Sequence, residues 1–232
     1  MLIKWHGHSC FEIIVRSPRD NFDGSLLQNK LIWVTDPHDG KSLGLKKPTG
    51  RANFITISHR HFDHDKAKLF KTENTKIIDR SCHLNSSGAD IVGLESFHDM
   101  ARGKERGKNI IFLVSIDKVR MAHLGDIGHR LIPNELDKLN NIDIIFIPVG
   151  GIFTIGPETA WEIILAIKPR VAVPMHYNLP GLSLPLKKVD DFLSIAPPGH
   201  PIEKVGAQKK IDRMILDTMR EKSTNIWVFT TT

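Results

Sequence analysis

Short apolar runs rich in β-branched residues recur along the chain between polar turns. Such runs predict strands, here at residues 10–15, 31–35, 54–57, 110–116, 119–122, 142–147, 171–174 and 226–229. Several runs lack polar alternation, so we expect interior strands that are covered on both faces. Asp117 and Lys118 lie between two runs and predict a two-residue hairpin, whereas the polar segment 17–30 predicts a longer connection.

Three segments predict helices, at residues 133–139, 157–167 and 184–195. The first two begin with proline, which suits a first helical position, and the apolar positions of the second lie on one face. Each half of the chain shows strands, a metal-type residue at a strand end and then a helix. We therefore predict one α/β domain over residues 1–232, built as a four-layer αβ/βα sandwich.

Composition is that of an ordinary globular protein, with 41% hydrophobic and 25% charged residues. No apolar run approaches the ~18 residues of a membrane helix, and the first residues lack the pattern of a secretory signal. We therefore expect a cytoplasmic protein without a membrane partner. Cys10 and Cys82 are too few for a disulfide framework and predict reduced thiols, although Cys10, near His8, could instead line a metal site.

The net charge is +6, and basic residues gather at 41–47, 66–71 and 102–108. Such runs are usually solvated surface. The alternative is that they attract an anionic substrate, either a phosphate ester or nucleic acid. Aromatic residues are scarce near these runs, which argues against a stacking platform for single-stranded nucleic acid.

Four metal-competent side chains follow the apolar run 54–57 within six residues: His59, His61, Asp63 and His64. Alternate side chains of an extended segment point the same way, so His59 and His61 can hold one cation. If a helix begins near Asp63, its first turn would present Asp63 and His64 to a neighbouring position. Imidazole with carboxylate suits zinc, manganese or iron, and the absence of thiolate argues against a purely structural zinc site.

This His-x-His-x-Asp-His pattern after a strand resembles the signature of the metallo-β-lactamase superfamily. Further elements match in order over about residues 1–180: Gly7-His8-Ser9, Asp36 after a strand, His98, Asp126 in Gly125-Asp126, and His176. The chain is most similar to the ascorbate-6-phosphate-lactonase-like branch. The large appendage of glyoxalase II is not evident in the sequence of the last 50 residues, and the protruding arm of ribonuclease Z is not evident either.

The resemblance implies two divalent metal ions, zinc first, with manganese or iron as alternatives. It assigns His59, His61 and His98 to the first ion, and Asp63, His64 and His176 to the second. Asp126 would bridge the ions, Asp63 and Asp126 would be the catalytic carboxylates, and Asp36 would orient a ligand. All of these side chains must converge on one pocket, where water activated by the two ions would attack the substrate.

Three histidines keep alternative interpretations. His123 could replace His98 at the first ion, although the superfamily pattern favours His98, or it could be a hydrogen-bonded residue at a strand end. His8 could orient a ligand, face the substrate or be a core residue. His129 could face the substrate or be structural, and the Gly150-Gly151 pair could admit a ligand or form a tight turn.

The resemblance implies hydrolysis of a small ester, lactone or phosphoester, with a small and perhaps anionic substrate as the partner. The alternatives are a nuclease or phosphodiesterase that acts on RNA or nucleotides, and a non-hydrolytic metal-binding or redox protein. Di-iron relatives carry Glu where His61 stands, which disfavours the redox alternative. The substrate, the native metal and the oligomeric state are not determined by the sequence.

Overall fold

A computed structural model describes residues 1–16, 30–86, 88–219 and 223–230. Two β-sheets are built from strands β1 (Leu2–Trp5), β2 (Phe11–Arg16), β3 (Lys30–Thr35), β4 (Phe54–Thr56), β5 (Lys76–Ile78), β6 (Cys82–Ser86), β7 (Ala89–Phe97), β8 (Lys108–Ile116), β9 (Val119–His123), β10 (Ile144–Pro148), β11 (Val171–Met175), β12 (Ile202–Lys204), β13 (Gln208–Lys210) and β14 (Asn225–Val228). The helices are α1 (Pro133–Lys138), α2 (Pro157–Ile167), α3 (Val189–Ser194) and α4 (Arg213–Thr218), with 3-10 turns at Lys41–Leu43 and Ala67–Leu69.

The first sheet has the strand order β13-β1-β2-β3-β4-β5, and the second has the order β12-β14-β11-β10-β9-β8-β7-β6. Strands β3, β4 and β5 run parallel, as do β9, β10, β11 and β14. Parallel neighbours place their carboxyl ends at one edge of a sheet. The histidines and aspartates that the sequence proposes as metal ligands follow the carboxyl ends of several of these strands.

Side chains of the first sheet alternate between two apolar clusters. Trp33 and Phe54 point into the main core shared with the second sheet, whereas Val34 and Ile55 point outward. The outward cluster is covered by Phe70 and by the 3-10 turn Ala67–Leu69. Helix α2 joins the parallel strands β10 and β11 and buries one of its faces in the main core. The predicted α/β sandwich of two sheets is confirmed.

Each of the eight predicted strands is present, with ends shifted by one or two residues, and β10 and β11 are buried at every position. The predicted hairpin between β8 and β9 is confirmed, since Asp117 and Lys118 have φ values of 50° and 61°, as a type I′ turn requires. Helix α2 has the predicted bounds. Apart from Lys30, the predicted connection 17–30 lies outside the described residues.

The helix predicted at 184–195 is wrong over its first five residues, because α3 begins only at Val189. Pro185 disfavours the α conformation of the residue before it. The main chain of Lys187 instead bonds to other segments: its N–H donates to the carbonyl of Gly150, and its carbonyl accepts from Asn178. Helix α4 was not predicted.

Six strands were also missed: β1, β5, β6, β7, β12 and β13. Strand β7 explains why, since its residues alternate between buried and partly exposed positions and form no long apolar run. An antiparallel strand with one half-exposed face has this pattern. Among the described residues, no helix combines the length and apolar character needed to cross a membrane.

Candidate metal centre

Loops at the ends of five strands bring together the residues that the superfamily pattern assigns to the two ions, with Asp36. Asp36 follows β3, the segment 59–64 follows β4, His98 follows β7, Asp126 lies just after β9, and His176 follows β11. His8 joins them from the turn between β1 and β2. Of the histidines and aspartates in this set, all but His61 are buried. The exposed ring of His61 therefore lies where the cluster meets solvent.

The donor atoms form two groups, and a third set, His59, His64 and Asp126, links them. His59, His61 and His98 offer donors within 4.8 Å of one another, and so do His8, Asp63, His64 and His176. Oxygen Oδ2 of Asp126 is 3.4 Å from His98 Nε2 in the first group. In the second group it is 3.3 Å from His64 Nε2 and 3.0 Å from His176 Nε2. Asp126 thus lies between the two groups.

Asp36 sets the direction of two histidine rings. Its carboxylate accepts hydrogen bonds from the N–H and hydroxyl of Ser58, at 2.7 and 2.6 Å, and it lies 3.0 Å from His64 Nδ1. Since the Ser58 hydroxyl donates to Asp36, its oxygen accepts from Nδ1 of His59, 3.0 Å away. Both Nδ1 atoms then carry protons, and the Nε2 lone pairs of His59 and His64 face the cluster.

Those two Nε2 atoms and Asp126 Oδ1 are buried without a hydrogen-bond partner. Burial lowers the pKa of His59 to about 3, so its ring is neutral at pH 7. Burial opposes ionisation of Asp126, but His176 and His64 outweigh it and hold the pKa well below the ordinary 3.8. Burial likewise opposes the charge on His64, but Asp126 and Asp63 raise its pKa, so without a cation its Nε2 also holds a proton, which a bound cation would replace. Partnerless imidazole nitrogens beside buried carboxylates fit a divalent cation.

Asn109, which the sequence did not single out, holds the loop of Asp126. Its side-chain oxygen accepts from Asp126 N at 3.0 Å, and its amide donates to Ser96 Oγ and to the carbonyl of Leu124. Gly125 lies against it, since a Cβ atom there would be 2.3 Å from Asn109 Oδ1. Nothing in the local sequence distinguishes Asn109, because its partners come from β7 and from the loop after β9.

His123 does not join either group of donors. The N–H of Gly125 donates to its Nδ1, so its Nε2 carries the proton and donates to the carbonyl of Ser9. Both ring nitrogens are therefore used within the protein, which leaves His98 as the third donor of the first group. The interpretation of His123 as a hydrogen-bonded residue at a strand end matches its contacts.

His129 also lies outside both groups. Its Nε2 accepts from Phe97 N, and its Nδ1 donates to the carbonyl of Arg130. Cys10 is fully buried and is not among the clustered donors; burial, with Asp36, raises the pKa of its thiol. The thiol therefore lies apart from both groups of donors. It packs in the outer apolar cluster.

The helix considered near Asp63 does not form. Residues 62–64 make a single turn closed by a 3.0 Å bond from His64 N to the carbonyl of His61. The next donor, Lys66 N, bonds to the carbonyl of Pro37 instead of continuing a helix. Asp63 and His64 are therefore positioned by the loop after β3.

Gly150 serves close packing beside His176. A Cβ atom at Gly150 would lie 2.0 Å from the carbonyl oxygen of His176, and Gly151 has a φ of +60°. Gly151 thus has the positive φ that the turn interpretation expected, whereas Gly150 is required by close packing.

Comparison with known proteins agrees with this geometry. The model of the β-lactamase superfamily domain matches residues 2–176. A solved Thermotoga maritima protein, described as a candidate Zn-dependent hydrolase of the metallo-β-lactamase superfamily, is 32% identical. The alignment covers 100% of this chain and 99% of that one, with a TM-score of 0.73. The chain belongs to the metallo-β-lactamase superfamily.

Other relatives from the superfamily are named metal-dependent hydrolases. One from Pyrobaculum islandicum is 28% identical over 84% of this chain and 91% of its own length. One from Thermoplasma acidophilum is 26% identical over 76% of this chain and 83% of its own length. The short form of human tRNase Z, 13% identical over 76% of this chain and 92% of its own, has a TM-score of 0.50 and shares the fold alone. The chain is a metal-dependent hydrolase of this superfamily.

Proposed function

We propose that the chain uses two divalent metal ions to hydrolyse a small ester, lactone or phosphoester. The observation that carries the proposal is the position of Asp126 between two groups of donors. His59, His61 and His98 would hold one ion, and Asp63, His64 and His176 the other, with Asp126 shared. Zinc suits these donors, and manganese and iron are the alternatives.

When bound, such an ion pair makes water acidic enough to be a nucleophile and offsets charge that develops on the substrate. The orientation and ionisation of the side chains suit this chemistry. Asp36 keeps the Nε2 lone pairs of His59 and His64 directed at the cluster. Burial opposes ionisation of Asp63, but His64 and His8 outweigh it and lower its pKa, so the carboxylate stays ionised at neutral pH and can hold a cation.

Cationic side chains beside the cluster support an anionic substrate. Asp99, next to His98, accepts hydrogen bonds from four main-chain N–H groups of the segment 101–106 and fixes that loop. The loop carries the exposed residues Arg102, Lys104 and Arg106. A cavity of about 800 Å³ adjoins it and is lined by Met100, Arg102, Arg130 and Ile132, among others. This volume suits a small organic molecule.

The test is hydrolysis of a panel of esters, lactones and phosphodiesters by protein stripped of metal and then reloaded with zinc, manganese or iron. Asp126→Ala should abolish turnover while the far-UV circular dichroism spectrum stays unchanged. Asp137→Ala, an exposed carboxylate on α1, is the matched control. Full activity of the Asp126 variant, or of chelated protein, would refute the proposal.

A nuclease or phosphodiesterase is the second candidate, favoured by the exposed cations of the loop after His98. Binding of RNA would then weaken steeply with salt, because bound phosphates release counterions. Cleavage of RNA at low salt and its loss at high salt would select this candidate. Unchanged hydrolysis of small uncharged esters over the same salt range would select the first.

A further inference from the structure

His8 faces the same point as the donors of the second group. Its Nε2 is 3.1 Å from Asp63 Oδ2, and that oxygen is also 3.5 Å from His64 Nε2. His8 therefore contacts the carboxylate oxygen that is turned toward the cluster. A residue that only oriented Asp63 would be expected at the other oxygen.

The backbone holds His8 in a strained conformation. Its φ is 53°, it follows Gly7 at 93°, and a bond from Cys10 N to the Gly7 carbonyl closes the turn. The indole N–H of Trp5 donates to the carbonyl of His8 at 3.0 Å. A left-handed conformation is strained for a residue other than glycine, and such strain is often kept where a side chain must be aimed. Here it aims a fully buried ring at the cluster.

His176 has the same features. Its φ is 52°, its Nδ1 lacks a partner as that of His8 does, and the two rings lie 4.1 Å apart. The two histidines thus present their Nε2 atoms to one place from opposite sheets.

The separations between donor atoms match joint ligation. Donors bound at ~2.0–2.2 Å lie about 3.0 Å apart around an octahedral ion and about 3.5 Å apart around a tetrahedral one. The separations in the second group are 3.1 Å for His8 and Asp63, 3.5 Å for His64 and Asp63, and 3.0 Å for His176 and Asp126.

We infer that His8 is an additional ligand of the second metal position, an inference that rests on the proposed two-metal function. His8 would then hold the second ion together with Asp63, His64 and His176, with Asp126 shared between the two positions. The second position would thus have one protein donor more than the superfamily pattern assigns to it.

The experiment titrates the metal-free full-length chain with Co²⁺ and follows heat and visible absorption. His8→Ala removes the ring. His8→Gln keeps an amide N–H that can donate to Asp63 much as an Nε2–H would, but it is a poor ligand. His6→Gln, from the same connection between β1 and β2 but hydrogen-bonded to Glu12, is the matched control. Circular dichroism of each metal-free variant checks the fold.

We expect the unsubstituted chain and the His6 control to bind two ions. Both His8 variants should bind one ion unchanged and the other at least tenfold more weakly. Absorption from the weaker ion should intensify, because Co²⁺ absorbs more strongly at lower coordination number. If His8→Ala does not fold, His8→Gln decides.

Wild-type affinity and absorption in His8→Gln would show that His8 only donates a hydrogen bond, and would overturn the inference while the two-metal proposal stands. Binding of a single ion by the unsubstituted chain would instead overturn both.

Discussion

Replacement of Asp36 by Asn tests whether one buried carboxylate directs the ligands of both metal positions. The substitution keeps the shape of the side chain, and Asn tolerates the φ of 36° that Asp36 adopts. It removes the charge and exchanges one acceptor oxygen for a donor NH₂ group. The groups that hydrogen-bond to the Asp36 carboxylate are all donors: the N–H and O–H of Ser58 and Nδ1 of His64.

The expected loss of unfolding free energy follows from these three hydrogen bonds. If the NH₂ group takes the place of Oδ1, it faces the N–H of Ser58 in a buried site, and one unsatisfied donor costs about 1–3 kcal/mol. The two remaining bonds lose their charge assistance, about 1 kcal/mol each. We therefore expect Asp36→Asn to lower the free energy of unfolding by about 3–5 kcal/mol, a large part of the ~5–15 kcal/mol typical of a protein.

If the NH₂ group instead takes the place of Oδ2, it faces His64 Nδ1 and favours a proton on Nε2. That tautomer cannot bind a cation. In either arrangement we expect metal affinity to fall roughly 10- to 100-fold, as is usual when a group that orients ligands is lost.

Guanidinium unfolding at pH 7 and calorimetric zinc titration of metal-free protein measure the two effects. Asp65→Asn is the matched control, because Asp65 adjoins His64 in sequence but is partly exposed and paired with Lys66. Wild-type stability and affinity in Asp36→Asn would show that Asp36 does not direct these rings.

Three further predictions concern other parts of the structure. Asn109→Ala should lower the free energy of unfolding by about 2–4 kcal/mol, because it leaves Asp126 N and the Leu124 carbonyl unpaired and removes a donor from Ser96 Oγ; chemical unfolding measures this. Gly150→Ala should displace His176, lower the free energy of unfolding by about 1–3 kcal/mol and weaken metal binding. An unchanged free energy of unfolding and an unchanged zinc affinity would contradict this. Burial opposes ionisation of Glu12, but a hydrogen-bonded histidine and a nearby lysine outweigh it and lower its pKa below the usual 4.5. The stabilisation that ionised Glu12 contributes is therefore complete above pH 4.5 and is lost as the pH falls through the lowered pKa. Between pH 6 and pH 3.5, the Glu12→Gln variant should therefore lose less stability than the unsubstituted chain, as measured by urea unfolding.

Much of the fold could be predicted because its strongest signals are local. Buried parallel strands such as β10 and β11 need apolar residues at every position, and a type I′ hairpin needs two residues that accept positive φ. Strand β7 and the start of α3 could not be predicted in this way. The first depends on which of its faces is covered, and the second on the bonds of Lys187 to Gly150 and Asn178.

The sequence by itself determined that a cation-binding cluster follows β4, since the close spacing of His59, His61, Asp63 and His64 is a property of a few adjacent residues. Only the tertiary structure decided what each ring nitrogen contacts. His123 is occupied by the main chain of Ser9 and Gly125, whereas His8 is turned into the pocket. The physical reason is that a histidine becomes available to a metal only when its lone pair is unused and unobstructed, and its neighbours in space come from strands distant along the chain.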